Sequence, residues 1–262
     1  MSSVPVLKTA ARAPSNWYVC LMTDRVERVG NTVRRPMNYW SPSVHDLLRY
    51  LESIDFPAPR LHRAEGGAET LTWIDGEAGP DGWAKVVPES GLRRWARFLR
   101  FYHDAVAGYR PPADSVWSSG TGTCAVGEII CHGDYGPWNG IWRGNHITGL
   151  IDWDHARPAR PLFDVAYGLE YAAPFRDDEE SVRWLRYPGP PDRRHRIEVF
   201  CDAYGMPVPD DVSACVAWQQ RLVAANCKAM ARLGIEPQAT WVRQGYLGEL
   251  RARIAWTEAS GL

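Results

Sequence analysis

A chain of 262 residues with 45% hydrophobic content and 13 tryptophans has enough apolar material for one large core or two smaller ones. Its 30 basic and 31 acidic residues nearly cancel, which argues against a nucleic acid or an anionic membrane as the partner. The six cysteines form no C-x-x-C pair, as is typical of reduced thiols packed as small apolar groups. No segment has the apolar length of a signal peptide or a membrane span, so we expect a cytoplasmic protein that binds a small molecule or peptide.

The first part of the chain is predicted to be rich in β-strands. Two β-prone runs flank Gly30-Asn31, and two more flank Gly66-Gly67. Each of these residue pairs is typical of a tight hairpin turn. Between these hairpins, residues 41–54 have the apolar spacing of an amphipathic helix, with Ser41 as its expected N-cap. A small antiparallel sheet with one helix is therefore predicted.

Helical periodicity dominates the rest of the chain. Apolar residues at spacings of three and four predict helices over 92–106, 209–233 and 239–258, and a hairpin turned by Gly144-Asn145 precedes the last two. The buried face of the second helix is predicted to contain Cys215, Trp218, Leu222, Ala225, Ala229 and Leu233. The last helix is predicted to bury Val242, Tyr246, Leu250 and Ile254.

The string H-G-D-x-x-x-x-N over residues 132–139 precedes that hairpin and contains the candidate catalytic and metal-binding residues. Counting outward from the Gly144-Asn145 turn places Asn139 beside Leu150 and returns Asp152 to the same end of the sheet. One carboxylate and one amide oxygen then converge. Hard oxygen donors with open coordination positions suit Mg²⁺ that completes its shell with water and nucleotide phosphates.

Asp134 lies five residues before Asn139 in the same loop, where its carboxylate can face whatever the metal holds. An H-G-D triplet alone fits equally well a turn whose aspartate caps local backbone amides. The full string is expected by chance on the order of once per thousand chains of this composition. It suits phosphoryl transfer, in which a carboxylate takes a hydroxyl proton and a metal neutralises phosphate charge.

"HGDYGPWN" followed by "GLIDWDHARPARPLFDVAYGLEY" resembles the aminoglycoside phosphotransferase and choline kinase family, relatives of the protein kinases. The resemblance implies an α+β, protein-kinase-like two-lobed fold. Residues 1–16 would form a flexible lead-in, residues 17–78 a small β-rich nucleotide lobe, and residues 79–262 a helical catalytic and substrate lobe. The implied cofactors are Mg²⁺ and ATP or GTP, and the acceptor would be a hydroxyl of a small molecule.

The same resemblance assigns roles to individual residues. It implies that Asp134 is the catalytic base and that Asn139 and Asp152 are the magnesium ligands. His132 would orient the loop from behind, and Asp164 would cap the next helix and brace the loop. A neighbouring acid, Asp154, is implied to have a lesser, supporting role.

The expected nucleotide lobe departs from the family, because it has neither a complete glycine-rich hairpin nor a Lys-Glu pair. Arg34 and Arg35 occupy the strand positions where the lysine is expected. Strand alternation puts Arg35 on the same face as Val33, so we predict that Val33 contacts adenine and that Arg35 binds the phosphates, with Arg34 as a further cofactor-binding candidate. The alternative is that both arginines are ordinary surface charges.

Two further assignments in this lobe follow from the resemblance. The helix expected to supply the glutamate has Val44 or His45 near that place, with Asp46 adjacent. The chain then crosses between the lobes, where the backbone of three residues is expected to bind the edge of adenine: Trp73, Ile74 and Asp75.

The leading hypothesis is therefore a magnesium-dependent small-molecule kinase. The alternative is a catalytically weak or inactive kinase-like binding protein that acts as a partner in natural-product or peptide modification. A cationic acceptor is expected if the acids of 177–180 line its site, and a peptide side chain is the other candidate. A solvated helix start explains those acids more simply. His103 is expected to be a packed, hydrogen-bonded residue, and no feature of the sequence predicts an oligomeric state.

Overall fold

The computed structural model describes residues 26–262. The predicted lead-in over 1–16 and the start of the β-rich lobe lie outside this range. The N-terminal elements are β1 (Glu27–Val29), β2 (Thr32–Pro36), α1 (Ser41–Ser53), β3 (Leu61–Glu65), β4 (Ala68–Thr72), α2 (Gly79–Lys85) and α3 (Glu89–Val106). Short strands follow: β5 (Val116–Trp117), β6 (Gly120–Thr121), β7 (Ile129–Cys131), β8 (Gly140–Arg143), β9 (His146–Leu150) and β10 (Arg157–Ala159). The C-terminal helices are α4 (Leu162–Ala172), α5 (Asp178–Trp184), α6 (Arg193–Tyr204), α7 (Val212–Arg232), α8 (Gln238–Arg243) and α9 (Tyr246–Ala259).

The N-terminal sheet has the strand order β1-β2-β4-β3, with all neighbours antiparallel. Both predicted hairpins are confirmed, with turns at Gly30-Asn31 and Gly66-Gly67. The α1 helix buries the predicted apolar face. Ser41 is not its N-cap, however, because Trp40 takes that position and the Ser41 hydroxyl accepts a hydrogen bond from the Asn38 N–H in the preceding turn, at 2.9 Å.

The α3 helix supports the centre of the molecule. The predicted stripe is confirmed, since Leu92, Trp95, Leu99, Tyr102 and Val106 are at most 1% exposed. It packs against α6 and contacts α4, β7 and β9. This stripe therefore joins the main core to the strands that carry the H-G-D loop.

The predicted buried face of α7 is wrong. Trp218 and Leu233 are 39% and 66% exposed, whereas the polar Gln219 and Gln220 are buried. The reason is that α7 packs against α4, α8 and α9, so its buried surface follows contacts with three helices and not one apolar stripe.

The single helix predicted over 239–258 is two helices. Gly245 adopts a left-handed conformation, with φ of 95°, and separates α8 from α9. Of the four residues predicted to be buried there, Leu250 is buried and the other three are half-buried. Among the helices of residues 26–262, none has the length and apolar character needed to cross a bilayer.

Candidate active site

A cavity of about 480 Å³ brings the predicted loop residues together. Its wall includes Asp134, Asn139, Asp152 and Asp154 from the loop and hairpin, and Arg35 from β2. The volume lies within the range of about 300–1,000 Å³ that is usual for small-molecule sites. The cavity continues toward α4, α7 and α9, so it has room for more than a metal ion.

A β-bulge sets the distance between the two predicted metal ligands. The predicted pairing holds from Arg143 opposite His146 to Trp142 opposite Ile147, and then shifts so that Ile141 lies opposite Gly149. Placing Asn139 beside Leu150 was therefore wrong by one residue, because the bulge inserts one residue in the β9 strand. Ile151 N–H donates to the Asn139 carbonyl at 3.0 Å. The bulge thus brings Asn139 one residue closer to Asp152 than an ideal hairpin would.

Asp164 holds the H-G-D loop by its backbone. The carboxylate is fully buried and accepts hydrogen bonds from the N–H groups of His132 at 2.6 Å and Gly133 at 2.9 Å. His103 contacts the same carboxylate at 3.3 Å and Tyr204 at 2.7 Å, which is the packed role expected for this histidine. Asp164 does not cap α4, because it lies inside the first turn and Pro161 occupies the N-cap position.

His132 is a neutral imidazole in this network. Its Nε2–H donates to the Ile151 carbonyl at 3.0 Å, and Nδ1 accepts the Asp134 N–H at 3.3 Å. Complete burial lowers the pKa of His132, which favours this uncharged form. The ring therefore links the Asp134 backbone to the residue that precedes Asp152.

Asp134 is 7% exposed and is held by two donors. The Tyr167 hydroxyl donates to one carboxylate oxygen, and Asn139 Nδ2 donates to the other at 2.9 Å. Since the amide of Asn139 uses its NH₂ group here, its Oδ1 remains an acceptor for a metal. Tyr167 was not predicted from the sequence, although its position three residues after Asp164 on a helix places both side chains on the loop side.

Asp152 lies in a concentration of negative charge. Its backbone is left-handed, with φ of 64°, an unusual conformation for a residue other than glycine. Burial, and then the nearby Asp154 carboxylate, raise the pKa of Asp152 to about 6, while Arg35 acts in the opposite direction. Asp134 adds to the repulsion. A divalent cation would relieve it, and the carboxylate and amide oxygens of Asp152 and Asn139 are the hard donors that suit Mg²⁺.

Arg35 connects the sheet to these acids. Its guanidinium contacts Glu69 at 2.5 Å, Asp154 at 2.9 Å and Asp152 at 3.8 Å. Glu69 is 1% exposed, and its second oxygen is bonded to His45 of α1. Burial alone would raise the pKa of Glu69, but hydrogen bonds from His45 and Arg35 lower it. The structure therefore has an Arg-Glu pair where the family pattern has a Lys-Glu pair.

The partner of Arg35 comes from an unexpected element. The glutamate was expected on α1, yet Glu69 lies on β4 directly opposite Arg35 in the β2–β4 pairing. The α1 helix contributes only His45 behind it. Arg34 lies on the other face of β2 and is exposed, so the phosphate-binding assignment passes to Arg35 alone.

The residues predicted to bind adenine lie beside the cavity and do not line it. Val33 is half-buried on the same strand face as Arg35. The Trp73 N–H donates to the Asn31 carbonyl at 2.8 Å, and its indole N–H donates to Asp75 at 2.7 Å. Ile74 lies near Gly149 of the bulged hairpin. Adenine binding by Val33 and by Trp73, Ile74 and Asp75 remains a prediction.

Comparison with known families and proteins agrees with this geometry. The model of the phosphotransferase enzyme family (APH) matches residues 125–200, which contain the H-G-D loop, the hairpin and α4. The trifolitoxin immunity protein of Rhizobium leguminosarum bv. trifolii is 35% identical over 190 residues, which are 69% of this chain and 70% of that protein.

Solved structures show the same fold at low sequence identity. A putative aminoglycoside phosphotransferase from Ralstonia eutropha has a TM-score of 0.54 and 14% identity, covering 87% of this chain and 86% of that one. The GDP complex of aminoglycoside 2'-phosphotransferase-IIIa has a TM-score of 0.50 and 14% identity, covering 89% and 88% of the two chains. The α+β, protein-kinase-like fold implied by the sequence is therefore confirmed.

Proposed function

The chain belongs to the phosphotransferase enzyme family, and we propose on that premise that it is a magnesium-dependent small-molecule kinase. The observation that supports the proposal most strongly is the convergence of Asp134, Asn139 and Asp152 on one cavity. Asn139 and Asp152 would hold Mg²⁺, which neutralises phosphate charge when bound. Arg35, fixed by Glu69, would face the same phosphates.

The proposed reaction moves the γ-phosphoryl group of ATP or GTP to an acceptor hydroxyl. The hydroxyl oxygen forms a bond to the γ-phosphorus as the bond to the bridging oxygen of the β-phosphate breaks. Asp134 accepts the hydroxyl proton, and the nucleoside diphosphate leaves. The Tyr167 and Asn139 hydrogen bonds hold both oxygens of the Asp134 carboxylate, so this base is oriented before the acceptor binds.

The similar proteins support a class of nucleotide donor and a class of acceptor for this reaction. The neighbour crystallised with GDP supports a purine nucleotide as the donor. The relative named as an immunity protein supports an acceptor that is a toxic small molecule or peptide, whose phosphorylation would protect the cell. The same name also favours a second candidate function, in which the chain protects by binding the toxic compound without transferring phosphate.

Transfer of label from γ-labelled nucleotide tests the proposal. Purified chain with Mg²⁺ and either ATP or GTP is expected to bind nucleotide and to hydrolyse it slowly when water replaces the acceptor. Asp134→Asn should retain nucleotide binding and lose about 10²- to 10⁴-fold in hydrolysis rate, because the general base is removed.

Asp114→Asn is the matched control, since Asp114 is exposed and does not line the cavity. It should behave as the wild type. Nucleotide binding with no hydrolysis and no label transfer would favour the binding-protein candidate. Equal hydrolysis by Asp134→Asn and the wild type would remove Asp134 from the catalytic role.

A further inference from the structure

The far end of the cavity contains an arginine with unused hydrogen-bonding capacity. Arg253 of α9 lines the cavity, and its side chain is 15% exposed. Its Nη1 lies 3.7 Å from the Glu170 carboxylate, which is an ion pair but is longer than a hydrogen bond. Among residues 26–262, no group accepts a hydrogen bond from Arg253. A guanidinium has five N–H donors, so this one offers an open fork to the cavity.

A second arginine beside it also has hydrogen-bond donors without an acceptor among the described residues. Arg176 is 5% exposed and also lines the cavity. Its Nη1 bonds Glu180 at 2.9 Å and its Nη2 lies 3.8 Å from Glu170, while Nε and Nη2 are buried without an acceptor in the described part of the chain. Glu170 therefore lies between two guanidiniums and forms a hydrogen bond with neither. Unmatched buried donors of this kind are costly unless a ligand supplies an acceptor.

Three of the four acids that suggested a cationic acceptor already have partners, and the fourth, Glu179, is exposed and does not line the cavity. Asp177 caps α5 by accepting the Glu180 N–H at 2.7 Å, as expected for a helix start. Asp178 is paired with Arg193 at 2.7 Å, and Glu180 with Arg176. Of the four acids, Glu180 alone lines the cavity, and its pairing with Arg176 reduces its attraction for a polycation.

We propose that the acceptor of this kinase carries an anionic group, most simply a carboxylate, that binds Arg253. The inference rests on the proposed function, because it takes this cavity as the acceptor site. Guanidinium and carboxylate match as a two-pronged pair, which supplies the acceptor atoms that Arg253 lacks. Arg176 adds positive charge behind the same subsite.

Aromatic rings connect this anion subsite to the catalytic base. Tyr167, which bonds Asp134, and Tyr171 lie one turn apart on α4, about 6 Å along the axis. The Tyr171 ring lies 4.6 Å from Trp138 and 4.8 Å from the Arg176 guanidinium. The expected acceptor thus has a hydroxyl at one end, a carboxylate at the other and an apolar or aromatic part between them.

Three probes that differ in one terminal group test the inference without knowledge of the natural acceptor. They are para-hydroxyphenylpropionate, its primary amide and tyramine, titrated by calorimetry into the full chain with Mg-ADP present. The acid should bind the wild type about tenfold more tightly than the amide, because the amide cannot form the charge-assisted hydrogen bond. Tyramine should bind least tightly, because its ammonium group is repelled by the guanidinium of Arg253.

Variants at α9 assign the effect to one side chain. Arg253→Gln should abolish the preference for the acid over the amide, and Arg253→Lys should retain part of it, since the charge remains but the fork is lost. Arg251→Gln is the matched control, because Arg251 is exposed on the same helix and bonds the Leu247 carbonyl outside the cavity. It should keep the full preference.

Several results would overturn the inference. They are tyramine binding as tightly as the acid, a preference for the acid that survives in Arg253→Gln, or no binding of any probe to a chain that binds Mg-ADP. The affinity for Mg-ADP is measured on the same samples. If the chain does not bind Mg-ADP, the result counts against the proposed kinase function. If it binds Mg-ADP but shows no preference for the acid, the result counts against the anion subsite alone.

Discussion

Gly133 shows why the middle residue of the H-G-D loop must lack a side chain. It has φ of 82°, and an added Cβ would lie 1.8 Å from the His155 carbonyl oxygen. The loop therefore passes close to the backbone beyond Asp152, and this approach holds Asp134 and Asp152 on one cavity. A β-carbon at this position would force the two segments apart.

Gly133→Ala is expected to lower the free energy of unfolding by about 3 kcal/mol, since left-handed strain and overpacking each cost about 1–2 kcal/mol or more. Gly127→Ala is the matched control, because Gly127 has nearly the same φ, 81°, and no atom within 4 Å of an added Cβ. Urea denaturation of both variants separates two costs. Both variants have the left-handed backbone strain, whereas only Gly133→Ala has the close contact with His155. Equal losses in the two variants would show that the His155 approach does not constrain the loop.

We predict that Tyr167 positions Asp134, because its hydroxyl donates a hydrogen bond to the Asp134 carboxylate. Tyr167→Phe should lower the rate of nucleotide hydrolysis about tenfold with nucleotide affinity unchanged, because one of the two donors that orient the base is lost. Tyr187→Phe is the control, since it removes a buried hydroxyl bonded to the Ala172 carbonyl. Equal rates for Tyr167→Phe and the wild type would contradict this role.

At the level of elements, the β2–β4 pairing supplies the ion pair between Arg35 and Glu69 in the N-terminal sheet. Glu69 is buried between Arg35 and His45, so Glu69→Gln should destabilise the chain by about 3 kcal/mol, as when one partner of a buried ion pair is removed. It should also weaken Mg-nucleotide binding, because Arg35 loses its anchor. Glu65→Gln is the control, since Glu65 is 59% exposed and paired with Arg63, and it should cost at most about 1 kcal/mol.

The stability difference between Glu69→Gln and the wild type should depend on pH. The folded-state pKa of Glu69 is lowered from its usual value of 4.5, so its ionised form stabilises the fold above that pH. This contribution is lost as the pH falls through the lower, folded pKa. Unfolding curves measured from pH 7 down to acid should therefore converge for the two proteins, and a difference that stays constant would contradict the assignment.

Local signals in the sequence were sufficient for some elements and not for others. The turn pairs Gly-Asn and Gly-Gly were sufficient to predict the two N-terminal hairpins, because a tight turn depends on adjacent residues. The bulge in β9 was not predictable, since nothing in the turn at Gly144-Asn145 reports the register shift beyond Ile147. Glu69 was missed because its pairing with Arg35 joins strands separated by α1 and β3.

At the scale of the whole molecule, the site combines a contiguous stretch with distant helices. The H-G-D loop, hairpin and α4 fall within the 76 residues of the family match and were readable as one motif. The proposed acceptor subsite could not be predicted, because Arg253 comes from α9, after the break at Gly245 that divides the predicted last helix. Its position depends on how three helices pack, which periodicity alone does not determine.

Asn139 and Asp152 are proposed to hold the metal that binds the nucleotide. This assignment is tested by calorimetric titration of ADP, with and without Mg²⁺, into the wild type, Asn139→Ala, Asp152→Ala and the exposed control Asp114→Ala. We predict that magnesium strengthens nucleotide binding in the wild type and the control, and that either ligand variant weakens Mg-ADP binding about 10- to 100-fold. Unchanged Mg-ADP affinity in Asp152→Ala would show that this carboxylate does not hold the metal.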